Sequence, residues 1–162
     1  MQTAEGTERQ SAEMEIRRIL DAQADALWRK DVAGLLADYT PDVVSFDLAP
    51  PLQHVGPSPM EAALWLETWD GPIFQSISQF QATVADAEGI AYCHGLVHMV
   101  GTKVGVDGLE GDPVDLWFRS TWCLRRVDGA WKITHEHAST PFYMDGSEQA
   151  ALDLTPESGA CS

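Results

Sequence analysis

The chain has 162 residues, 44% of them hydrophobic, which suits one domain with a buried core and excludes a disordered protein. A net charge of −15 would repel a nucleic-acid backbone, and no apolar run approaches the roughly 20 residues that cross a bilayer. The polar start, Met1 to Gln10, has no signal-like apolar core, and Cys93, Cys123 and Cys161 form neither a CxxC pair nor a zinc pattern; a cytoplasmic protein with reduced thiols is expected.

In chain order, residues 1–10 read as a loose tail. Ile16, Ile19, Leu20, Gln23 and Leu27 then recur on one face of a long amphipathic first helix. Asp31 is placed to cap a short second helix through Leu35, Leu36 and Tyr39, which Thr40-Pro41 ends because the residue before proline disfavours helix. Val43 to Asp47 reads as a short strand, followed by a turn-rich loop from Ala49-Pro50-Pro51 to Gly56-Pro57. Ser58, Pro59 and Glu61 form a strong helix start, and that third helix runs to about Thr68. Phe80 to Ala85, Ile90 to Val104, Val114 to Val127 and Ala130 to Ser139 read as strands. Glu88-Gly89, Asp107-Gly108 and Asp128-Gly129 connect them as an antiparallel meander. Helices first and strands afterwards predict an α+β domain over residues 11–143, a curved antiparallel sheet packed on three N-terminal helices around a cone-shaped pocket, with 144–162 as a C-terminal tail.

Side chains alternate along a strand, so Trp131, Ile133, His135 and His137 are expected on a pocket-facing side, with Lys132, Thr134, Glu136 and Ala138 opposite. On the preceding strand Trp117, Arg119, Thr121 and Cys123 share one face and Phe118, Ser120, Trp122 and Leu124 the other. One face would line the pocket, and the other would pack on a second subunit. Tyr92, His94, Leu96, His98 and Val100 share a face, as do Val43, Ser45 and Asp47. A carboxylate, histidines and an arginine in an apolar pocket make a plausible acid–base set.

These segments carry a resemblance over about residues 12–142. They are Trp28-Arg29-Lys30-Asp31 ending the first helix, Leu36 to Val44, Phe46-Asp47 to Gly56, and above all Arg125 to Ile133 leading into His135-Glu136-His137-Ala138-Ser139-Thr140-Pro141-Phe142. The chain resembles the SnoaL-like, ketosteroid-isomerase-like branch of the nuclear transport factor 2-like superfamily. The resemblance implies a cone of curved sheet over three helices, usually dimeric through the sheet. In ketosteroid isomerases a pocket aspartate shuttles the proton, and Asp47 sits in a similar place, before a Pro/Gly-rich loop. Their tyrosine and protonated aspartate form the oxyanion hole. By rough alignment those two positions are Gln23 and a site near Thr121 here, which argues against steroid isomerisation itself.

Each candidate has two readings. Asp47 is a general base with a raised pKa, or it caps its own turn. His135 and His137 shuttle protons or contact substrate, or they are buried and locally satisfied. Arg119 clamps an anion, or pairs inside the cone. Trp65 and Trp69, four apart on the third helix, close the pocket mouth or pack the core. The leading expectation is an isomerase-, cyclase- or dehydratase-type enzyme without a cofactor, acting on a compact, apolar, oxygenated small molecule. Asp47 is the base, His135 or His137 the proton relay and Arg119 the charge clamp. Gln23, Trp69, His94, His98, Trp117, Thr121 and Phe142 are expected around the substrate. The alternatives are a non-catalytic binding or dimerisation module, favoured if Asp47, Arg119 and the late histidines face separate environments, and a metal enzyme using His135 and His137 with His94, His98 or Asp47. A homodimer is expected, through a stripe of Phe118, Trp122 and Leu124.

Overall fold

The computed structural model describes residues 2–107 and 109–156. Helix α1 spans Gln2–Arg29, so the segment expected as a loose tail continues the helix back to Gln2. Its inward stripe, Ala12, Ile16, Leu20 and Gln23, is buried at steps of three and four residues. Lys30 turns left-handed (φ 53°) and stops the helix. Asp31 then accepts a 3.0 Å hydrogen bond from Gly34 N–H and caps α2, Val32–Leu36.

The second helix stops short of Tyr39, which instead opens strand β1, Tyr39–Phe46. Pro41 denies Thr40 a helical conformation, and the backbone N–H of Ile133 donates to Asp38 O at 2.7 Å, drawing the chain into the sheet. A two-residue strand β2, His54–Val55, pairs with β1, and α3 spans Pro59–Glu67, capped by Ser58. Trp69 therefore lies beyond the helix, at the head of β3, Trp69–Ala85. Sequence reading began that strand at Phe80, beyond Gly71-Pro72, where the absent proline N–H makes a break in the ladder. Pairing with β4, Ile90–Lys103, carries the strand past that break and past a second irregularity between Ser78 and Gln81. There Gln79 is left-handed (φ 50°), and Ile77 and Phe80 both pack on the core. Gly95 lies under this bulge; a Cβ there would sit 2.7 Å from Ile77 Cγ2 and 3.0 Å from Ser78 O.

Strands β5, Pro113–Val127, and β6, Ala130–Ser139, complete one sheet of order β2-β1-β6-β5-β4-β3. All neighbours are antiparallel except β1 and β6, which run parallel, so the sheet is mixed rather than a pure meander. The helices cover its concave side. The main core joins Ala12, Ile16 and Leu20 of α1 to Val43, Ala91, Cys93, Val97, Trp122, Leu124, Trp131 and Ile133. A second cluster unites Leu27, Leu66, Trp69 and Ile73. The stripe of Phe118, Trp122 and Leu124 thus faces the helices, and the opposite face of β5 is the open one. Beyond β6, Phe142 bridges Ala150 and Ala151 is buried, so part of the expected tail folds back on itself; residues 157–162, including Cys161, lie outside the described residues. Among the described residues no helix is long and apolar enough to cross a membrane.

Candidate active site

One inserted residue decides which side chains enter the cone. Leu124 pairs with Ile133 and Cys123 with His135, leaving Thr134 as a bulge whose hydroxyl donates to Cys123 O at 3.1 Å. Strict alternation would keep His135 and His137 with Trp131 and Ile133. The bulge reverses the phase. Trp131 and Ile133 are buried against α1, Glu136 pairs with inward-facing Trp122, and His135 and His137 pair with outward-facing Cys123 and Thr121. Burying each large apolar side chain stabilises by about 1.5–3 kcal/mol, so Trp131 and Ile133 hold their phase. The residues after Thr134 take the other one.

Glu136 therefore joins an interior polar group. The Tyr39 hydroxyl donates to Glu136 Oε2, across the parallel β1–β6 pair. Gln23 of α1, 7% exposed, lies beside that hydroxyl and donates to Leu35 O at 3.3 Å. Burial raises the pKa of Glu136; the Tyr39 hydroxyl opposes the shift and the negative charge of Asp47 adds to it. Burial, then the charge of Glu136, push Tyr39 well above its ordinary value, so the phenol remains a donor. Asp47 follows the last residue of β1, and burial raises its pKa also, with His54 opposing. His54 Nε2 is 3.5 Å from Asp47 Oδ2 and its Nδ1 is 3.3 Å from Glu61 Oε2.

The charge of Asp47 reaches Glu136, and neighbouring carboxylates in unequal surroundings do not ionise equally. Asp47 is half exposed and has His54 beside it; Glu136 is more deeply set, and the causes of its shift include no cationic neighbour. Asp47 is the member better suited to carry charge and accept a proton. Glu136, with Tyr39, is the member better suited to hold one. Two carboxylates in such unequal surroundings, one open beside a histidine and one set deeper against a phenol, are an arrangement that acid–base chemistry uses.

The residues expected from sequence divide between the two faces. Asp47 and Gln23 are brought together on the concave side. His135, His137, Arg119, His94, His98, Trp117 and Thr121 lie on the opposite face, away from Asp47. There His135 Nδ1 donates to Val44 O at 2.7 Å, and Phe46 meets His135 and His137 edge-on at 4.8 and 5.5 Å. His98 stacks on Trp117 at 4.4 Å and bonds Asp115 at 2.7 Å. A shell of Asp47 with His135 and His137 is ruled out by this separation, and no group of three or more metal-binding side chains occurs among the described residues. Trp69 is buried, edge-on to Trp65 at 5.7 Å, with Lys103 Nζ 3.7 Å over its ring. Phe142 is exposed. Tyr39, His54 and Glu136 were not among the expected site residues. His54 was readable as a histidine in the loop after Asp47, but Glu136 carries no mark in the sequence because the bulge at Thr134 has none.

A mixed, curved six-stranded sheet with three helices on its concave side defines a nuclear transport factor 2-like cone. The model of the SnoaL-like domain matches residues 16–143, and the chain belongs to that family. It is similar in structure to a nuclear transport factor 2-like protein of unknown function from Pseudomonas putida, with 29% identity over 91% of this chain and 98% of that one and a TM-score of 0.76. A putative scytalone dehydratase from Novosphingobium aromaticivorans shares 18% identity over 89% and 94% of the two chains, at a TM-score of 0.70. A type 2 hexachlorocyclohexane dehydrochlorinase shares 16% over 94% and 98%, at 0.68. No curated protein matches the chain.

Proposed function

We propose that the protein is an acid–base enzyme of isomerase or lyase type acting on a compact, mostly apolar, oxygenated ring compound. The observation that carries this reading is the pairing, on one helix-covered side, of an exposed-edge carboxylate, Asp47, with an inner acid, Glu136, held by a phenol, Tyr39. Asp47 takes the proton from a carbon beside a carbonyl. The electron pair moves into a new C=C bond, and charge develops on the carbonyl oxygen, where Glu136, steadied by the Tyr39 hydroxyl, supplies a hydrogen bond or a proton. The enol then collapses by reprotonation at another carbon, or by loss of a leaving group. Two of the structural relatives are named for eliminations, a dehydratase and a dehydrochlorinase, which is consistent with this chemistry. The test is proton exchange at carbon. Ring ketones such as α-tetralone and a β,γ-unsaturated cyclohexenone are incubated in heavy water, and deuterium uptake is followed by NMR. Catalysed uptake that Asp47→Asn abolishes supports the reading; no catalysed uptake by the wild type on any ring ketone refutes it.

A non-catalytic binding module is the second reading. It is favoured by the separation of Asp47 from Arg119, His135 and His137 by the sheet. Saturable binding of a ring ketone without deuterium uptake would select it. For self-association we propose the outward face of β4, β5 and β6, with Tyr92, His94, Trp117 and His137, rather than the covered Phe118–Trp122–Leu124 stripe. Sedimentation of wild type and Trp117→Asp at micromolar protein checks it: a dimer that the substitution dissociates is expected, and a wild-type monomer refutes it.

A further inference from the structure

The geometry points to His54 as a proton relay that carries protons between Asp47 and solvent through Glu61. This rests on the reading of Asp47 as the base. The three groups come from three elements: Asp47 from the end of β1, His54 from β2 and Glu61 from the first turn of α3. Each is fixed by its own local structure. Ser45 pairs with His54 across the β1–β2 ladder, which sets the imidazole next to Asp47 two residues further along. The Ser58 cap, accepting from Glu61 N–H at 3.3 Å, sets the start of α3 and so the place of Glu61. One ring nitrogen faces each carboxylate, at 3.5 Å to Asp47 and 3.3 Å to Glu61.

The imidazole is held covered between two open carboxylates. The side chain of His54 is 27% exposed, that of Asp47 49% and that of Glu61 57%, so the imidazole is the most covered member and the far carboxylate the most open. A simple surface ion pair would put the imidazole in water against one acid. Here each nitrogen faces a carboxylate at ion-pair distance, and a slight approach on either side would give the two-nitrogen ring the hydrogen bonds with which it takes a proton on one side and releases one on the other. In the reaction, the C–H proton of the substrate passes to the Asp47 carboxylate. Asp47 then gives it to Nε2, and Nδ1–H passes its proton to Glu61, which releases it to water. Reversal of the same transfers restores the starting tautomer. No electrons change hands and no co-reactant is needed. Glu136 and Tyr39 lie on the other side of Asp47 and take no part in these transfers.

A relay controls how often the abstracted proton is exchanged with solvent before it returns to carbon. The experiment compares wild type, His54→Ala, His54→Gln and Glu61→Gln, in heavy water, on α-tetralone and the β,γ-unsaturated cyclohexenone. Deuterium uptake per turnover and kcat are measured with and without added imidazole. The expected result is a loss of about 10²-fold in uptake rate for His54→Ala, an increased share of proton return without exchange, and recovery with imidazole. His54→Gln and Glu61→Gln should show the same change in exchange share with unchanged circular dichroism. If the wild type exchanges and Asp47→Asn does not, but His54→Ala keeps the wild-type exchange share, the relay is overturned while the base assignment stands. A loss that imidazole does not restore, with Glu61→Gln unaffected, marks His54 as structural and also overturns the relay. Absence of exchange in the wild type removes both the base assignment and the relay.

Discussion

Replacing Glu136 with glutamine separates the part this residue plays in the site from the part it plays in stability. Burial raises the carboxyl pKa above the ordinary 4.5, so the folded protein holds this proton more tightly than the unfolded chain does. The sign follows directly. The stability associated with the protonated carboxyl is fully present below the unfolded pKa, and it is lost as pH rises through the folded one. Each unit of such a shift costs about 1.4 kcal/mol once the group is ionised. Glutamine keeps the shape and can still accept from Tyr39, but carries no charge to desolvate and none to repel Asp47. At pH 8 the variant is expected to be more stable by on the order of 1–3 kcal/mol, the size of a buried polar penalty. With a urea slope of roughly 2 kcal/mol/M, the midpoint rises by about 1 M. Urea titrations at pH 8 and at a pH below the ordinary glutamate value measure the difference. It should shrink towards zero in the acid series, while proton exchange on ring ketones falls in the same variant. A variant less stable than wild type at pH 8, or a gain that ignores pH, would refute the claim that Glu136 is buried at a cost.

Tyr39→Phe removes the donor to Glu136 and is expected to cost about 1–3 kcal/mol in urea melts and about 10²–10³-fold in exchange rate. The pH profile of kcat/KM should rise through an Asp47 pKa above its ordinary 3.8 and fall as Glu136 ionises; Glu136→Gln should remove the falling limb, and a fall that persists reassigns the acid. Gly95→Ala forces a Cβ to 2.7 Å from Ile77 and should lower stability by about 1–3 kcal/mol in the same melts. In a Cys161→Ser background a thiol reagent at pH 8 should label Cys123 and spare Cys93, which is buried with its pKa pushed up to about 12, giving a thiolate fraction of about one in ten thousand. Mass spectrometry of tryptic peptides reads this.

Local chemistry accounts for much of what sequence reading could reach. The 3.6-residue stripe Ile16–Leu20–Gln23 names the buried face of α1 because a helix has one period and one apolar side. The Ser58 and Asp31 caps mark helix starts because an exposed N–H needs an acceptor within three residues. The quoted motifs placed the chain in its family, and with it the cone. Asp47 and Gln23 both act on the Tyr39 hydroxyl on the helix-covered side of the sheet. Three other matters were decided by tertiary structure alone. Strand β3 runs through Gly71-Pro72 because β4 offers a long partner. Trp122 and Leu124 turn inward because α1 supplies the apolar surface that buries them. Glu136 enters the site, and His135 and His137 leave it, because one unpaired residue at Thr134 lets Trp131 and Ile133 keep their core positions while the rest of β6 matches β1. A bulge is the outcome of a competition between two neighbouring strands for register. The energy that settles it lies in contacts far apart in the chain, so no period within β6 can announce it.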